Sequence, residues 1–309
     1  MESERKKTIT TTGLIVRAQS GFFTVQTADA LVTCQLRGRL KQGRHLGDIA
    51  AIGDRVSISL TTDQTGMIES IEERQHALIR LDPRPRGVYQ QVILANLDQV
   101  VFVFACAQPS PRMRMLDRFL VIAEKQRIPA VIVANKIDLV EQAEAENLFG
   151  HYPALGYPVI YTSARQNLGV DALRMQLTGK ISALAGPSGV GKSSLLNEVQ
   201  SGLGLIVREI SSAMNKGRHT TNFRQLLPLQ GGGYVGDTPG LKSLALWDTE
   251  PEELDGYFPE IAPLVSQCKY NNCTHKPNEV DCAVRNAVNA GSIHPERYES
   301  YVRLRAGEE

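Results

Sequence analysis

The order of two short motifs is the feature that most constrains how this chain can fold. An Asn-Lys-Ile-Asp element at 135–138 precedes a glycine-rich Gly-Pro-Ser-Gly-Val-Gly-Lys-Ser loop at 186–193. In a nucleotide-binding α/β domain of ordinary connectivity, a base-reading Asn-Lys-x-Asp element follows the phosphate loop. The sequence therefore predicts a circularly permuted domain, which is physically permissible because domain termini lie at the surface and are often close together.

The glycine-rich loop matches the pattern G-x-x-x-x-G-K-[ST]. It lies between an apolar run at 181–185 and a helix-like stretch at 194–200, which is the context the motif requires. Backbone N–H groups of the turn are expected to surround a β-phosphate, while Lys192 reaches the β/γ oxygens and Ser193 holds Mg²⁺. The predicted phosphate-binding residues are Gly186, Pro187, Ser188, Gly189, Val190, Gly191, Lys192, Ser193 and Ser194.

Two further elements fit the switch regions of such a domain. Asp237-Thr238-Pro239-Gly240 follows a short apolar strand, so Asp237 is expected to reach Mg²⁺ through water and Gly240 to offer its N–H to a γ-phosphate. Upstream of it, the stretch Lys216-Gly217-Arg218-His219-Thr220-Thr221 can complete the Mg²⁺ shell. Thr220 and Thr221 are both candidates, with Thr221 the assigned ligand.

Base choice depends on Asp138. Its carboxylate can accept hydrogen bonds from the ring N–H and exocyclic amine of guanine, whereas adenine would leave that acceptor unpaired. Asn135 is expected to brace the loop and contact the base, Lys136 to cover the base face, and the Ser163-Ala164 backbone to meet guanine O6. An ATPase with a fortuitous Asn-Lys-Ile-Asp remains the alternative.

Apolar runs alternate with helix-like stretches across the middle of the chain, which indicates an α/β sheet with its ligand site at the strand C-terminal ends. The predicted strands are 99–105, 130–134, 159–162, 181–185, 224–229 and 234–237, and the predicted helices are 113–125, 141–149, 170–177 and a helix after Lys192.

A metal-binding pattern follows the last motif. Cys268, Cys273, His275 and Cys282 offer three thiols and one imidazole within fifteen residues. Such a set suits one tetrahedral Zn²⁺, and four protein ligands would make the site structural and closed to substrate. A disulfide or unrelated buried thiols are the alternatives. Bound metal would stabilise a segment too short for a large core, and helices are expected around 283–288 and 298–304.

The N-terminal part has a third character. Short β-patterned runs at 13–17, 22–26, 31–36, 55–60 and 67–71 predict a small barrel of the OB-fold class. Arg37, Arg39, Lys41 and Arg44 crowd one predicted loop, so RNA contact and a solvated charged turn both explain them. The expected domains are an OB-fold barrel at 1–80, a permuted P-loop GTPase domain at 81–248 and a mostly α zinc-binding domain at 249–309.

Composition adds two limits. No apolar run approaches the ~20 residues needed to span a bilayer, so no membrane partner is expected. The chain carries 34 basic and 33 acidic residues, but residues 249–309 carry six basic and eleven acidic ones. The acidic C-terminal segment is therefore not an obvious binder of phosphate backbones.

Together, the barrel with Gly-Arg-Leu (38–40) and Gly-Asp-Arg-Val (53–56), the permuted motif order and the C-x4-C-x-H-x6-C pattern closely resemble the RsgA family of bacterial GTPases. The resemblance covers nearly the whole chain. It implies a cytoplasmic GTPase that is stimulated by the 30S ribosomal subunit, contacts 16S rRNA, and acts in late 30S maturation with release of an assembly factor. Nothing in the sequence demands a dimer.

The residue after Gly240 is Leu241, where a Ras-like site would have a glutamine that orients the attacking water. Slow turnover by the free protein is therefore expected. Either His219 positions the water, or the ribosome orders the switch regions in trans. Two function classes stay open at this point: a regulatory GTPase, and an RNA- or ribosome-binding module that uses GTP as a structural switch with incidental hydrolysis.

Overall fold

The computed structural model describes residues 10–42, 47–62, 64–81, 89–204, 206, 224–237 and 249–308. Contacts divide the chain into two compact units. One comprises Met1–Asp98, Gln176–Leu184 and Gln200–Pro239, and the other comprises Gln99–Met175, Ala185–Val199 and Gly240–Glu309. The predicted boundaries of three domains at 80/81 and 248/249 stay predictions.

Five strands of the first unit close into a small barrel. They are β1 (Thr10–Gln19), β2 (Phe22–Gln26), β3 (Leu31–Leu36), β4 (Arg55–Thr62) and β5 (Thr65–Ile71). Antiparallel ladders join β1 to β2 and β2 to β3, a parallel ladder joins β3 to β5, and β4 pairs antiparallel with both β5 and β1. This closed order confirms the five predicted strands and the OB-fold class.

Alternation along the barrel strands decides which side chains fill its core. Val32 and Cys34 on β3 are buried while their neighbours Leu31, Thr33 and Gln35 are exposed, as expected where successive side chains point to opposite faces. Burial raises the pKa of the Cys34 thiol to about 11. Cys34 therefore behaves as a packing residue, in agreement with its apolar context.

The basic loop of the barrel is partly neutralised. Arg37 forms an ion pair with Glu69, and Arg39 lies 3.5 Å from the same carboxylate. Ser59 also donates a 2.5 Å hydrogen bond to Glu69. The two guanidinium groups are 47% and 65% exposed, so they stay accessible, but one carboxylate offsets part of their charge.

The first unit also contains an antiparallel hairpin that the sequence reading missed, formed by β6 (Ala77–Leu81) and β7 (Gln90–Ala95). Its remaining strands include β12 (Arg224–Pro228) and β13 (Tyr234–Asp237), both predicted. Strand β12 pairs antiparallel with β13 and also with the end of β1, through Arg17 opposite Gln225. Backbone hydrogen bonds thus join the barrel to the strand that leads toward Asp237.

The second unit contains three parallel strands, β8 (Gln99–Ala105), β9 (Ala130–Asn135) and β10 (Val159–Thr162). All residues of β8 and β9 are buried, which is typical of parallel strands covered on both faces. Helices α1 (Met113–Lys125), α2 (Gln142–Phe149) and α3 (Val170–Leu177) connect or follow them. Strand β11 (Ile181–Ala185), which belongs to the first unit except for Ala185, leads into helix α4 (Lys192–Val199). These elements confirm the predicted α/β alternation.

The C-terminal segment begins with two 3₁₀ helices, Pro251–Tyr257 and Ala262–Gln267, and ends with α5 (Ala283–Asn289) and α6 (Pro295–Arg305). Both predicted α-helices are therefore present. Phe258, Ile261, Val284 and Tyr301 form a buried cluster that also includes Val121 of α1. Helix α1 thus packs against this segment as well as against β8, where the rings of Phe119 and Phe102 lie 5.4 Å apart.

Across the described part of the chain, no helix combines the length and apolar character needed to cross a membrane.

Candidate nucleotide site and metal centre

Asn135 holds the base-reading element to the phosphate loop. It is the last residue of β9, and the parallel ladders place it opposite Ala105 of β8 and Thr162 of β10. Its side chain is 1% exposed. The amide donates a 2.8 Å hydrogen bond to the Val190 carbonyl and accepts one of 3.1 Å from the Thr162 hydroxyl. Thr162, which sequence reasoning did not select, therefore fixes the Asn135 side chain.

Two glycines of the phosphate loop are required by close approach. Gly191 has φ +96°, and a Cβ there would lie 2.4 Å from the Asn135 Nδ2 atom. Gly186 has φ +144°, and a Cβ there would lie 2.0 Å from the Val103 carbonyl oxygen. Any larger residue would clash at both positions, since real Cβ atoms do not approach so closely and positive φ disfavours other residue types.

Carbonyl groups of the phosphate loop hold the ammonium group of Lys192. Lys192, the first residue of α4, donates 2.8 Å and 2.7 Å hydrogen bonds to the carbonyls of Gly186 and Pro187. Pro187 and Val190 are buried, Ser193 is half-buried, and Ser188, Gly189 and Ser194 are exposed. Helix α4 is also fastened at its other end, because Arg174 donates to the carbonyls of Glu198 and Val199.

Lys136 follows Asn135 in a left-handed backbone conformation, with φ 63° and ψ 38°. Its ammonium group donates a 2.7 Å hydrogen bond to the Gly189 carbonyl and another to the Gln108 carbonyl. The side chain therefore spans from the base-reading element to the phosphate loop. Gln108 belongs to the segment between β8 and α1, and no sequence motif pointed to it.

Asp138 and Ser163 form the other side of the base-reading element. The Ser163 hydroxyl donates a 2.5 Å hydrogen bond to Asp138 Oδ1 and accepts one of 3.1 Å from the Gln166 N–H. The Ser163 N–H donates to the Leu168 carbonyl at 3.0 Å, and Ala164 begins the turn between these two residues. One oxygen of the Asp138 carboxylate is thereby fixed in orientation.

The switch residues are placed only in part. Asp237 ends β13 opposite Leu184, near the end of the strand that runs into the phosphate loop. His219, Thr220, Thr221 and Gly240 lie outside the described residues, so their assigned roles stay predictions. Bound Mg²⁺ would neutralise phosphate charge, and Ser193 is the predicted Mg²⁺ ligand among the described side chains.

The four metal-binding side chains converge. Ligand atoms of Cys268, Cys273, His275 and Cys282 all lie within 4.8 Å of one another. The His275 Nδ1 atom is 3.6 Å from the Cys268 sulfur and 3.4 Å from the Cys282 sulfur, and those two sulfurs are 3.9 Å apart. Around a tetrahedral Zn²⁺, S···N and S···S separations of about 3.5 and 3.8 Å follow from the usual bond lengths.

This cluster can therefore bind one zinc ion, as predicted. All five cysteines are free, and the sulfur separation of 3.9 Å is far longer than a disulfide bond. Burial, together with the adjacent Cys282 and Cys268 thiols, raises the pKa of the Cys273 thiol. A thiolate there needs a nearby cation, which a divalent metal would supply.

A buried charge network joins the metal-binding segment to helix α1. Arg297 on α6 is 1% exposed and donates 2.7 Å hydrogen bonds to Asp117 of α1 and to Glu260. Tyr152 donates a 2.8 Å hydrogen bond to the same Asp117 oxygen. Burial disfavours the charge, but Asp117 and Glu260 outweigh it and raise the pKa of Arg297. No sequence motif marks this network.

Comparison with known proteins gives matches to the N-terminal barrel and to the nucleotide-binding region. The chain matches the family model for the RsgA GTPase over residues 71–247 and the model for the RsgA N-terminal domain over residues 12–68. It is 46% identical to the small ribosomal subunit biogenesis GTPase RsgA of Gemmatimonas aurantiaca, over 96% of this chain and 97% of that protein. It is 40% identical to the protein of the same name from Halalkalibacterium halodurans, over 94% of each chain.

Solved structures agree with the family matches. The crystal structure of YjeQ from Thermotoga maritima is 35% identical, with a TM-score of 0.77 over 97% of this chain and 99% of that one. YloQ, described as a circularly permuted GTPase, is 30% identical, with a TM-score of 0.74 over 100% of this chain and 98% of that one. With the permuted loops and the Cys₃His cluster in place, the chain belongs to the RsgA family of circularly permuted GTPases.

Proposed function

We propose that this protein hydrolyses GTP to GDP and phosphate in small ribosomal subunit biogenesis, that the 30S subunit activates it, and that hydrolysis accompanies release of an assembly factor late in maturation. The relatives' name, small ribosomal subunit biogenesis GTPase, supports the ribosomal part. The protein would act as a monomer in the cytoplasm and contact 16S rRNA.

The observation that carries the GTPase assignment is the contact between the two permuted motifs. Asn135 Nδ2 is bonded to the Val190 carbonyl, and Lys136 Nζ to the Gly189 carbonyl. The base-reading element and the phosphate loop are therefore held together before a nucleotide arrives. Preorganised groups of this kind reduce the free energy spent on ordering the site during binding.

Guanine recognition would use Asp138, which the Ser163 hydroxyl orients. The carboxylate would accept the two guanine donors, and the Lys136 stem would cover the base face. Because the Ser163 N–H is engaged by Leu168, the Ala164 N–H is the donor that we assign to guanine O6. An adenine base would leave the Asp138 oxygens without donors, which penalises ATP.

Phosphate recognition would use the loop N–H groups and Lys192. The ammonium group would exchange its Gly186 and Pro187 carbonyl partners for β- and γ-phosphate oxygens, which are charged and therefore stronger acceptors. Ser193 and Thr220 or Thr221 would hold Mg²⁺, Asp237 would reach it through water, and the Gly240 N–H would contact the γ-phosphate.

Slow intrinsic turnover follows from Leu241, since an apolar side chain cannot orient the attacking water. We assign that role to His219, with the ribosome ordering the switch regions. The barrel would contact rRNA through its basic loop, where Arg37 and Arg39 retain substantial exposure despite Glu69. Binding of this kind depends on salt because phosphate contacts release counterions.

Steady-state GTP hydrolysis with and without purified 30S subunits tests the proposal, with 50S subunits and ATP as controls. We expect strong stimulation that requires both GTP and 30S. Turnover that is indifferent to 30S would contradict ribosome activation, and equal turnover of ATP would contradict the Asp138 assignment.

Two variants and one control variant test the assigned residues in the same assay. Ser193→Ala should abolish Mg²⁺-dependent hydrolysis, whereas Ser194→Ala, which removes the adjacent exposed hydroxyl and keeps the backbone N–H, should retain it. His219→Ala should remove the 30S-stimulated rate and leave GTP affinity intact. Unchanged stimulated turnover in the His219 variant would exclude it from the mechanism.

A further inference from the structure

The buried imidazole of His275 has one ring nitrogen toward the metal-binding sulfurs and one away from them. Nδ1 lies 3.6 Å and 3.4 Å from the sulfurs of Cys268 and Cys282. Nε2 is fully buried and makes no hydrogen bond of ordinary length within the described part of the chain. An oxygen of the Asp255 carboxylate, Oδ2, lies 3.5 Å from it.

The tautomer of His275 is dictated by this geometry. A nitrogen that binds a metal must carry no proton, so a metal-binding Nδ1 leaves the ring proton on Nε2. A buried N–H without an acceptor costs free energy comparable to a lost hydrogen bond. Asp255 Oδ2 is placed to accept it, after a small rotation of either side chain.

The Asp255 carboxylate is itself held by helix α6. Tyr301 donates a 2.6 Å hydrogen bond to Oδ1, and Arg305 donates to the same oxygen. Both donors therefore act on one oxygen and leave Oδ2 directed to the imidazole. Tyr298, one turn before, donates a 2.6 Å hydrogen bond to the His275 carbonyl. The zinc-binding loop is thus fixed to α6 at the backbone as well as through Asp255.

We propose that Asp255 is the positioning residue of the zinc site: it accepts the Nε2–H of His275, fixes the Nε2–H tautomer that leaves Nδ1 free to bind the metal, and connects the site to α6 through Tyr301 and Arg305. Carboxylates that accept the second N–H of a zinc-binding histidine orient the ring and increase its basicity, and their loss commonly weakens metal binding by about 10- to 100-fold. The position is separated by twenty residues from His275 in sequence, so no motif could reveal it.

Zinc affinity of the full-length zinc-loaded protein, measured by competition with a chromophoric chelator, tests the proposal. Asp255→Asn keeps the shape of the side chain and removes its charge, and we expect zinc binding about 10- to 100-fold weaker, with Asp255→Glu closer to the native value. The matched control is Asp281→Asn. Asp281 precedes the ligand Cys282 but pairs with exposed Lys269, and asparagine tolerates its φ of 52°.

Asp281→Asn should change zinc affinity by less than about threefold, because it alters charge near the site without touching His275. Equal losses of zinc affinity in the two variants would show that Asp255 acts only through its charge and would overturn the proposal. Unchanged zinc affinity in Asp255→Asn would overturn it as well. Tyr301→Phe, which leaves Oδ2 free to accept the proton, should lose less affinity than Asp255→Asn.

A measurement on the unaltered protein keeps the proposal testable if Asp255→Asn fails to fold. Long-range ¹⁵N–¹H NMR of the zinc-loaded wild-type chain reports which ring nitrogen of His275 carries the proton. We expect a slowly exchanging proton on Nε2. A proton on Nδ1, or an Nε2 proton that exchanges as fast as that of an exposed histidine, would overturn the proposal.

Discussion

The nucleotide loops and the metal cluster lie in the same compact unit but are assembled in different ways. Asn135 and Ser163 lie at the ends of β9 and β10, which parallel ladders align with β8, and the phosphate loop follows β11. The four metal ligands come from fifteen consecutive residues with no strand among them. The first site is built on a sheet, whereas we expect the second to depend on the ion that its own side chains can bind.

The difference shows how sequence distance relates to what stabilises a site. A buried sheet needs no ligand to bring its strand ends together, because main-chain hydrogen bonds and apolar burial do so. A loop of fifteen residues with a small core gains most of its order from metal binding. Helix α1 packs against both β8 and the metal-binding segment. The same helix therefore contacts the sheet that carries Asn135 and the segment that carries the metal-binding residues.

Metal removal should have the largest effect on stability. Chelation should remove the binding free energy of the metal, about 10–16 kcal/mol at neutral pH, and unfold much of 249–308, and Cys282→Ser should remove part of it. Hydrogen exchange should show lost amide protection there, with protection of β8 and β9 retained. If the nucleotide site and the metal cluster are stabilised independently, GTP affinity changes by less than about threefold. Added zinc should then restore the amide protection of the chelated protein. Collapse of GTP affinity would instead show that the two sites form one cooperative unit.

The next largest expected effect concerns the buried ion pairs between α6 and α1. Arg297→Met leaves Asp117 and Glu260 as buried carboxylates without their cation, which should cost about 3–5 kcal/mol of unfolding free energy. Chemical denaturation followed by near-ultraviolet circular dichroism measures it. Arg303→Met is the control because its ion pairs with Glu299 and Glu308 are exposed, and it should cost less than about 1 kcal/mol. Equal losses would contradict a buried network.

The preassembled contact between nucleotide loops predicts a smaller effect. Asn135→Ala leaves the buried Val190 carbonyl without its donor, at a cost of about 1–3 kcal/mol. GTP affinity, measured by titration of a fluorescent analogue, should fall by about 5- to 150-fold. Thr162→Val removes only the hydroxyl that orients Asn135, so it should have a weaker effect. Native affinity in Asn135→Ala would show that the contact does not support the site.

The smallest expected effect concerns pH. The His151 ring stacks on His294 at 4.2 Å, and burial, with the nearby charges of His294 and Arg297, lowers its pKa from 6.5 to about 4. The unfolded chain therefore takes up this proton first, and stability should fall as pH drops from about 6.5 to about 4.

His151→Phe removes that contribution, so its melting temperature should decrease less than that of the wild type over the same pH range. Melting curves at pH 7, 5.5 and 4.5 make the comparison, and effects common to both proteins, such as zinc loss in acid, cancel in the difference. Parallel pH profiles would show that His151 does not titrate as its surroundings require.

Local patterns determined much of the result. Alternation in 31–36 and unbroken apolar runs in 100–105 and 130–134 predicted the barrel and the parallel strands, because the side-chain period and the burial of both faces are encoded in consecutive residues. The motif order gave the permutation. The cysteine and histidine spacing gave the metal cluster, since its ligands are close along the chain.

Other features depend on contacts between residues far apart in sequence. The hairpin of β6 and β7 was missed, and the basic loop looked more cationic than it is because Glu69 lies 32 residues from Arg37. No motif surrounds Gln108, Asp117 with Arg297, or Asp255, and Thr162 precedes the Ser163-Ala164 element without belonging to it.

The sequence by itself determined the family, the fold class and the Cys₃His cluster, and it predicted the base-reading and phosphate loops, since each is encoded by spacing within a short stretch. Only the tertiary structure decided what holds these groups in position: the Asn135–Val190 bond across two strand ends, the buried Arg297 between α6 and α1, and Asp255 behind His275. The physical reason is that a hydrogen bond or ion pair needs only proximity in space, and folding creates that proximity between residues whose separation in sequence leaves no local pattern.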